Sequence, residues 1–153
     1  MKRISLICLV VICLLLVGCG SKEVKEVKNL DDFQTLMLNA DFSVNNNINN
    51  YQEYDYITGS YLAVKDGYTI EMVTYDNEDS AKKAYNNLTK KFKEMKASGA
   101  TADTSKGANF QTYKMISNNY YMVTSRVDNT MMFTKAPLEY KDEIDKLYTD
   151  MGY

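Results

Sequence analysis

Three segments of the chain repeat their hydrophobic residues every three or four positions, which is the spacing of one face of an α-helix. Polar residues typical of helix ends flank them: Asn29 and Asn77 precede the first two segments, and Gly99 and Gly152 follow the last two. We expect the first helix to end near residue 39. The stripes predicted to face the core are Leu30, Phe33, Met37 and Ala40; then Ala81, Ala84, Tyr85, Leu88, Phe92 and Met95; and, after Pro137 in the first turn, Tyr140, Ile144, Leu147, Tyr148 and Met151.

Five other segments are rich in β-branched, aromatic and methionine side chains, as strands are, and short turn signals separate them. Asp66-Gly67 stands between the first two and is a favoured pair for a two-residue hairpin turn. Pairing Lys65 with Tyr68 across this turn places four residues on one face, which we expect to meet the core: Tyr61, Ala63, Ile70 and Met72.

Residues 109–135 predict a three-stranded meander, with turns at Asn118-Asn119 and Asp128-Asn129. Residues 43–55 and 99–107 lack periodicity, and we expect loops in both segments. The predicted order is α-β-β-α-β-β-β-α. It corresponds to an α+β fold in which helices pack against an antiparallel five-stranded sheet.

The first 18 residues have a different character from the rest of the chain. Lys2 and Arg3 give a basic start, and residues 4–17 form a run of 14 in which Ser5 alone is polar. A helix that spans a bilayer needs about 20 apolar residues, so this run is typical of the middle region of a signal peptide. A transmembrane anchor is the alternative interpretation.

The run ends in Leu16-Val17-Gly18-Cys19, which resembles the lipobox of bacterial lipoprotein precursors at every position. The resemblance covers the first 21 residues. It implies that the Cys19 thiol receives a diacylglyceryl group and that the leader is cut between Gly18 and Cys19. Two acyl chains hold a protein in a membrane by on the order of 20 kcal/mol. The alternative is an ordinary secretory signal that happens to end beside a cysteine.

This resemblance divides the chain into a signal peptide (1–18), a lipidated tether (19–28) and one domain (29–153). It places the protein at the plasma membrane, lipid-anchored on the extracytoplasmic face. We expect residues 20–28, "GSKEVKEVK", to form a flexible tether. The spacing of Val24, Val27 and Leu30 supports an alternative, a backward extension of the first helix.

The overall composition supports a single folded domain without a nucleic-acid partner. Apolar residues make up 45% of the 153 residues and charged residues 25%, which are ordinary values for a globular protein. Without Lys2 and Arg3, 16 basic and 20 acidic residues remain, a net charge of −4. Nucleic-acid binding needs a concentrated basic face, so this balance disfavours it.

Missing residue types exclude several kinds of chemistry. The chain has no histidine, which excludes catalysis by imidazole, including the Ser-His-Asp and Cys-His arrangements. Its three cysteines are Cys8, Cys13 and Cys19, and removal of the leader leaves Cys19 alone. An intramolecular disulfide or a thiolate metal cluster is then impossible. We predict no cofactor and no metal.

Motifs for phosphate and calcium binding are also missing from the polar segments. Five positions after Gly99 stands Thr104, where a phosphate-binding loop needs glycine. A helix-loop-helix calcium loop starting at Asp76 fails because its sixth residue is Ala81 rather than glycine. Acids at a helix start favour the helix dipole, which already explains a weaker candidate calcium site made of Asp76, Glu78 and Asp79.

Carboxylate pairs are the remaining route to an enzyme, since glycoside hydrolysis uses two acids across a cleft. The candidates are Glu53 with Asp55, and the group Asp142, Glu143 and Asp145. We expect all of them to be solvated surface charges.

Tyrosine is the most conspicuous residue type, with 13 in the chain. Tyr51, Tyr54 and Tyr56 are crowded in "NNYQEYDY". Tyrosine and asparagine together are typical of binding loops, so this cluster is a candidate surface for a peptide, a glycan or an envelope protein. Packing over the edge of the sheet is the alternative.

The outer face of the second predicted helix is rich in lysine, and four of these residues are candidates to face an anionic membrane: Lys82, Lys83, Lys90 and Lys93. A solvated helix face is the alternative. The sequence therefore favours a lipid-anchored, non-enzymatic surface protein that binds or modulates another envelope molecule. The alternative function is a carboxylate-dependent hydrolase acting on cell-wall glycan or peptide.

Overall fold

The computed structural model describes residues 23–153. The lipobox and the cleavage site therefore lie outside the described residues. The described part contains three α-helices, seven strands and two short 3-10 helices. The α-helices are Leu30–Asn39 (α1), Glu78–Glu94 (α2) and Lys141–Asp150 (α3), and the 3-10 helices are Ile48–Tyr51 and Leu138–Tyr140. The strands are Ser43–Asn46 (β1), Ile57–Lys65 (β2), Tyr68–Tyr75 (β3), Thr101–Lys106 (β4), Phe110–Ser117 (β5), Tyr120–Val127 (β6) and Thr130–Pro137 (β7).

All seven strands belong to one antiparallel sheet with the order β1-β2-β3-β7-β6-β5-β4. Strands β1 to β3 form one meander and β4 to β7 another, and β3 pairs with β7 at the junction. The predicted α+β fold with an antiparallel sheet is confirmed. The predicted number of five strands is wrong, because the sheet has seven.

Both additional strands are edge strands in segments expected to be loops. Strand β1 lies in residues 43–55, and β4 lies in residues 99–107. All six residues of β4 are exposed, so the described residues bury neither of its faces. A strand without a buried face shows no alternation of apolar and polar residues, so the sequence pattern does not reveal it.

The predicted hairpins and the meander are confirmed. Asp66 and Gly67 have left-handed φ values of 46° and 81°, as a type I′ turn requires. Lys65 pairs with Tyr68, as predicted, and Tyr61 and Ala63 pair with Met72 and Ile70 on the core side. Left-handed residues also close the turns after β5 and β6, with Asn118 at 50°, Asn119 at 62° and Asp128 at 47°.

Helix α1 begins and ends as predicted, and the cap is complete. The Asn29 side chain accepts hydrogen bonds from the amides of Asp31 and Asp32, while Asp32 accepts from the Asn29 amide. No helix extends backward from it, since residues 23–29 have no regular secondary structure.

Two predicted helix boundaries are wrong. Helix α2 stops at Glu94 rather than near Gly99, because the Ser117 hydroxyl bonds to the Met95 carbonyl and accepts from the Ala97 amide, which draws the chain out of the helix. Pro137 ends β7 instead of opening α3, and a 3-10 turn separates the two elements.

Helices cover both faces of the sheet, so the core has two parts. On the face that we call the two-helix face, α1 and α3 pack on residues such as Ile70, Met132 and Val123. On the opposite face, the one-helix face, α2 packs on Val73, Met122 and other residues of the central strands. Helix α2 is centred on the middle strands, and within residues 23–153 no α-helix covers the β1 and β2 side of this face.

Candidate functional site

A groove on the one-helix face lies between α2 and the segment from the 3-10 helix Ile48–Tyr51 to the start of β2. Its volume is about 440 Å³. We call it the tyrosine groove. It is lined by Tyr51, Tyr54, Tyr56, Ile57, Val73, Tyr75, Ala84, Asn87, Leu88, Lys91, Met131 and Phe133. Four tyrosine rings and several aliphatic side chains thus surround one opening on the surface.

Backbone turns place the three clustered tyrosines beside the sheet. The Tyr54 amide bonds to the Tyr51 carbonyl at 2.9 Å, and the Ile57 amide bonds to the Tyr54 carbonyl at 3.0 Å. The Asp76 amide then bonds to the Tyr56 carbonyl at 2.9 Å, which ties this segment to the end of β3. The loop is therefore held at both ends against the sheet.

The rings form a continuous series. Ring centroids are 6.4 Å apart for Tyr51 and Tyr54 and 5.7 Å apart for Tyr54 and Tyr56. The Tyr56 ring stacks on Tyr75 at 6.5 Å, with only 9° between the ring planes. These spacings lie in the range in which aromatic pairs stabilise one another, so each ring helps to hold the next in place.

A buried carboxylate anchors one end of the series. Glu71 of β3 is 8% exposed, and its Oε1 accepts three hydrogen bonds, from Tyr51 Oη at 2.8 Å, Ser60 Oγ at 2.7 Å and Asn47 Nδ2 at 2.8 Å. Burial, together with the neighbouring Glu71 charge, raises the pKa of Tyr51. Tyr51 therefore keeps its proton and acts as a donor to Glu71.

The three tyrosines predicted from the sequence are brought together but differ in their surroundings. Tyr51 is partly buried and bonded to Glu71, which agrees with the packing interpretation for this residue. Tyr54 and Tyr56 are 44% and 38% exposed, and their side chains have no hydrogen bond to another described residue. Only these two retain the free surface that a binding loop needs.

Sequence reasoning missed several residues of the groove, notably Tyr75 and Phe133, and it also missed Glu71, which bonds to Tyr51 behind the groove lining. Tyr75 and Phe133 lie on neighbouring strands, β3 and β7, that are far apart in sequence. The alternation along β3 does place Tyr75 on the same face as Val73 and Glu71. Only the strand order, however, reveals that this face meets the tyrosine cluster.

The four lysines proposed to face a membrane differ in their contacts. Lys82 pairs with Glu78 at 3.1 Å, and Lys93 lies over the Tyr113 ring at 5.6 Å. Lys83 and Lys90 are exposed, and Lys83 lines a small pocket beside Tyr56. Lys91, from the same helix, belongs to the tyrosine groove.

The candidate carboxylates do not form a facing pair. Glu53 and Asp55 are exposed in a turn. Glu143 accepts hydrogen bonds from Lys65 at 2.8 Å and Tyr68 at 3.0 Å. Burial works against the ionised form of Glu143, but these bonds lower its pKa overall.

Asp145 is held more tightly still. Lys114 and Tyr121 both donate to its Oδ1 at 2.6 Å, and Lys141 donates to Oδ2 at 2.7 Å. Burial disfavours the charge, yet the three bonds outweigh it and lower the pKa of Asp145 to about 2. These groups line a second groove of about 320 Å³ between β4, β5 and α3, where the ion pairs already satisfy one another.

Within residues 23–153, no cluster of carboxylates or other ligating side chains is arranged to hold a metal ion. In the weak calcium candidate, the Glu78 carboxylate already forms ion pairs with Arg126 at 3.1 Å and with Lys82. The described residues also include no helix with the length and hydropathy needed to cross a bilayer.

The chain was compared with protein-family models, with curated proteins and with solved structures. None of the three comparisons finds a match.

Proposed function

We propose that this protein is a lipid-anchored binding module on the extracytoplasmic face of the plasma membrane and that its ligand occupies the tyrosine groove. One observation carries the proposal: two exposed tyrosines, Tyr54 and Tyr56, line a groove of about 440 Å³. Tyrosine offers rigid amphipathic contact area at low entropic cost, and binding pockets are usually apolar clefts with a few polar groups. The peptide, glycan or envelope protein recognised there would contact both rings.

Membrane attachment rests on the lipobox and on the path of the chain that follows it. The Ala108 amide bonds to the Glu23 carbonyl at 2.9 Å, and Asn109 bonds to the Lys25 amide and carbonyl at 2.9 Å and 2.8 Å. These hydrogen bonds therefore hold residues 23–25 against the domain. Glu23 stands four positions after Cys19, and four steps along an extended chain span at most about 14 Å. A lipid on Cys19 would keep the domain close to the bilayer.

A non-enzymatic role agrees with the state of the carboxylates. A carboxylate-dependent hydrolase, the alternative function, needs one acid that keeps its proton near neutral pH, opposite a second acid. Glu143 and Asp145 have lowered pKa values, so both are ionised at neutral pH. Among the described residues they offer a charge but not a proton, which favours binding over hydrolysis.

Replacing Tyr54 and Tyr56 by serine tests the proposal, because both side chains lie at the surface of the groove. We expect the double variant to lose at least tenfold in binding to solubilised envelope components, since each ring supplies contact area to the ligand. Its melting temperature should fall only slightly, because both side chains are exposed and the bond from Tyr51 to the buried Glu71 remains. Immobilised protein and a concentration series of envelope extract provide the measurement.

Tyr120→Ser is a matched control, because Tyr120 is 43% exposed and lies at the opposite end of the sheet, at the start of β6. It should bind as the wild type does. Equal binding by the double variant, at unchanged stability, would contradict the proposed site. Tyr51→Ser is less suitable, because it also removes a hydrogen bond to the buried Glu71.

A further inference from the structure

Within the part of the chain that the structure describes, Glu71 has hydrogen bonds but no counter-charge. No lysine or arginine among the described residues forms an ion pair with it. All three of its donors are neutral groups, and all three point at Oε1. Buried charges in proteins are normally paired with a charge of opposite sign. The missing cation is therefore a feature that requires an explanation.

The second oxygen of Glu71 remains available. Oε2 receives no hydrogen bond from a described residue, and it is not one of the atoms that are sealed from solvent without a partner. An ionised carboxylate accepts through both oxygens. A hydrogen-bond donor on a ligand can thus bond to Oε2 of Glu71 without displacing Asn47, Tyr51 or Ser60.

Glu71 adjoins the tyrosine groove. Its hydrogen-bond donor Tyr51 lines the groove, and its cross-strand neighbour on β7 is Phe133, which lines it too. Glu71 is therefore not itself a lining residue, but it bonds to one lining residue and pairs across the sheet with another. The Glu71 charge also acts on Tyr75. Burial is the larger cause of the raised pKa of Tyr75, and the Glu71 charge is the second cause.

We propose that the tyrosine groove binds a ligand through an alkylammonium group, with the tyrosine rings against the cation and Glu71 as its counter-charge. This inference rests on the proposed function and specifies the class of ligand. Faces of aromatic rings carry partial negative charge, and several rings around one cation are the usual way in which proteins bind alkylammonium groups. A buried negative charge behind those rings strengthens the attraction, since screening is weak there.

The opposite wall of the groove limits how much positive charge can enter. Helix α2 contributes Asn87 and Lys91 there, and Lys91 is exposed. Its ammonium repels a ligand with many positive charges, so the groove suits a single cationic group placed on the Glu71 side. Replacing Lys91 by glutamine removes this repulsion and should therefore raise the affinity for such a ligand.

The test compares choline with 3,3-dimethylbutan-1-ol, a neutral molecule of the same shape. Both are titrated into the purified mature protein in a non-ionic micelle, with tyrosine ring carbons labelled for NMR. We expect choline to bind at least tenfold more tightly than the neutral probe. In Glu71→Gln, the choline affinity should fall at least tenfold while the affinity of the neutral probe stays the same. In Lys91→Gln, the preference for choline should persist.

Three results would overturn the inference. The first is equal binding of both probes by the wild type, a comparison that does not depend on any variant folding. The second is a preference for choline that survives Glu71→Gln. The third is no binding of either probe. The Tyr54 and Tyr56 double variant then separates two cases. If it still loses its envelope ligand, the groove binds a ligand of another class. If it binds the envelope ligand as the wild type does, the proposed function is contradicted as well.

Discussion

Asp145 accepts three hydrogen bonds, two of them from lysine ammonium groups, and the bonds from the strands tie α3 to the sheet. It joins α3 to β5 through Lys114 and to β6 through Tyr121, while Lys141 closes the cluster from within the helix. Its folded pKa, about 2, lies below the value of about 3.8 of a free aspartate. Stability from a lowered pKa is present above the unfolded pKa and is lost as pH falls toward the folded one.

We therefore expect the free energy of unfolding of the wild type to decrease between about pH 4 and pH 2. Asp145→Asn should cost about 1–2 kcal/mol at pH 7, after allowance for solvent around a side chain that is 28% exposed, and much less at pH 2. Urea unfolding at several pH values measures the difference. Asp150→Asn is the control, because within residues 23–153 that side chain pairs with the exposed Lys146 alone. A cost for Asp145→Asn that does not change with pH would contradict this assignment.

Single residues also show how far the sequence predicts the candidate site. Tyr51, Tyr54 and Tyr56 stand out because they are close together in one segment rich in asparagine. Glu71 does not, because one glutamate in a strand looks like an ordinary solvent-facing residue. Its burial depends on donors from β2 and from the 3-10 region, and only the folded arrangement brings them to it.

At the scale of elements, prediction succeeds where an element has both a buried face and defined ends. Helix α2 has a clear apolar stripe, and Asn77 caps it by accepting a hydrogen bond from the Ser80 amide at 2.9 Å. Asp66-Gly67 likewise fixes the register of β2 and β3. Strand β4 has neither signal. Among the described strands it pairs with β5 alone, so long-range hydrogen bonding rather than local pattern makes it a strand.

The cap of α2 provides a test at this scale. Asn77→Ala removes the acceptor for the Ser80 amide, and loss of such a cap costs about 1 kcal/mol. We expect the melting temperature to fall by about 3–5 °C in a domain of this size. Circular dichroism during heating measures it. Asn86→Ala, on an exposed position of the same helix, should change it little. A fall of the same size in both variants would contradict the capping role.

At the scale of the whole molecule, residues 23–25 determine which end of the sheet lies nearest to the proposed lipid anchor. Asn109, which binds Lys25, lies at the end of the sheet where the Asp128 amide bonds to the Asn109 carbonyl. The neighbouring Asn129 bonds to Tyr75 at this same end. A lipid on Cys19 would therefore direct this end, with Tyr75 and the nearby Tyr56, toward the membrane.

Removing the residue that we propose to be lipidated tests the anchor itself. Cys19→Ala should appear in the soluble fraction or keep its leader, because the thiol that would receive the diacylglyceryl group is gone. Cell fractionation with intact mass spectrometry distinguishes the forms. Cys13→Ala lies within the apolar run and should leave processing unchanged. A Cys19→Ala protein that is processed and still sediments with membranes would contradict lipid anchoring.

The central claim is that the tyrosine groove is the surface that meets a ligand. Hydrogen–deuterium exchange of the mature protein, with and without envelope extract, tests it most directly, because peptides report on every part of the domain in one experiment. We predict slower exchange in residues 48–57 and 84–91, with no change in β4 at residues 101–106. Protection of β4 instead, or no protection beside the tyrosines at saturating extract, would contradict the account.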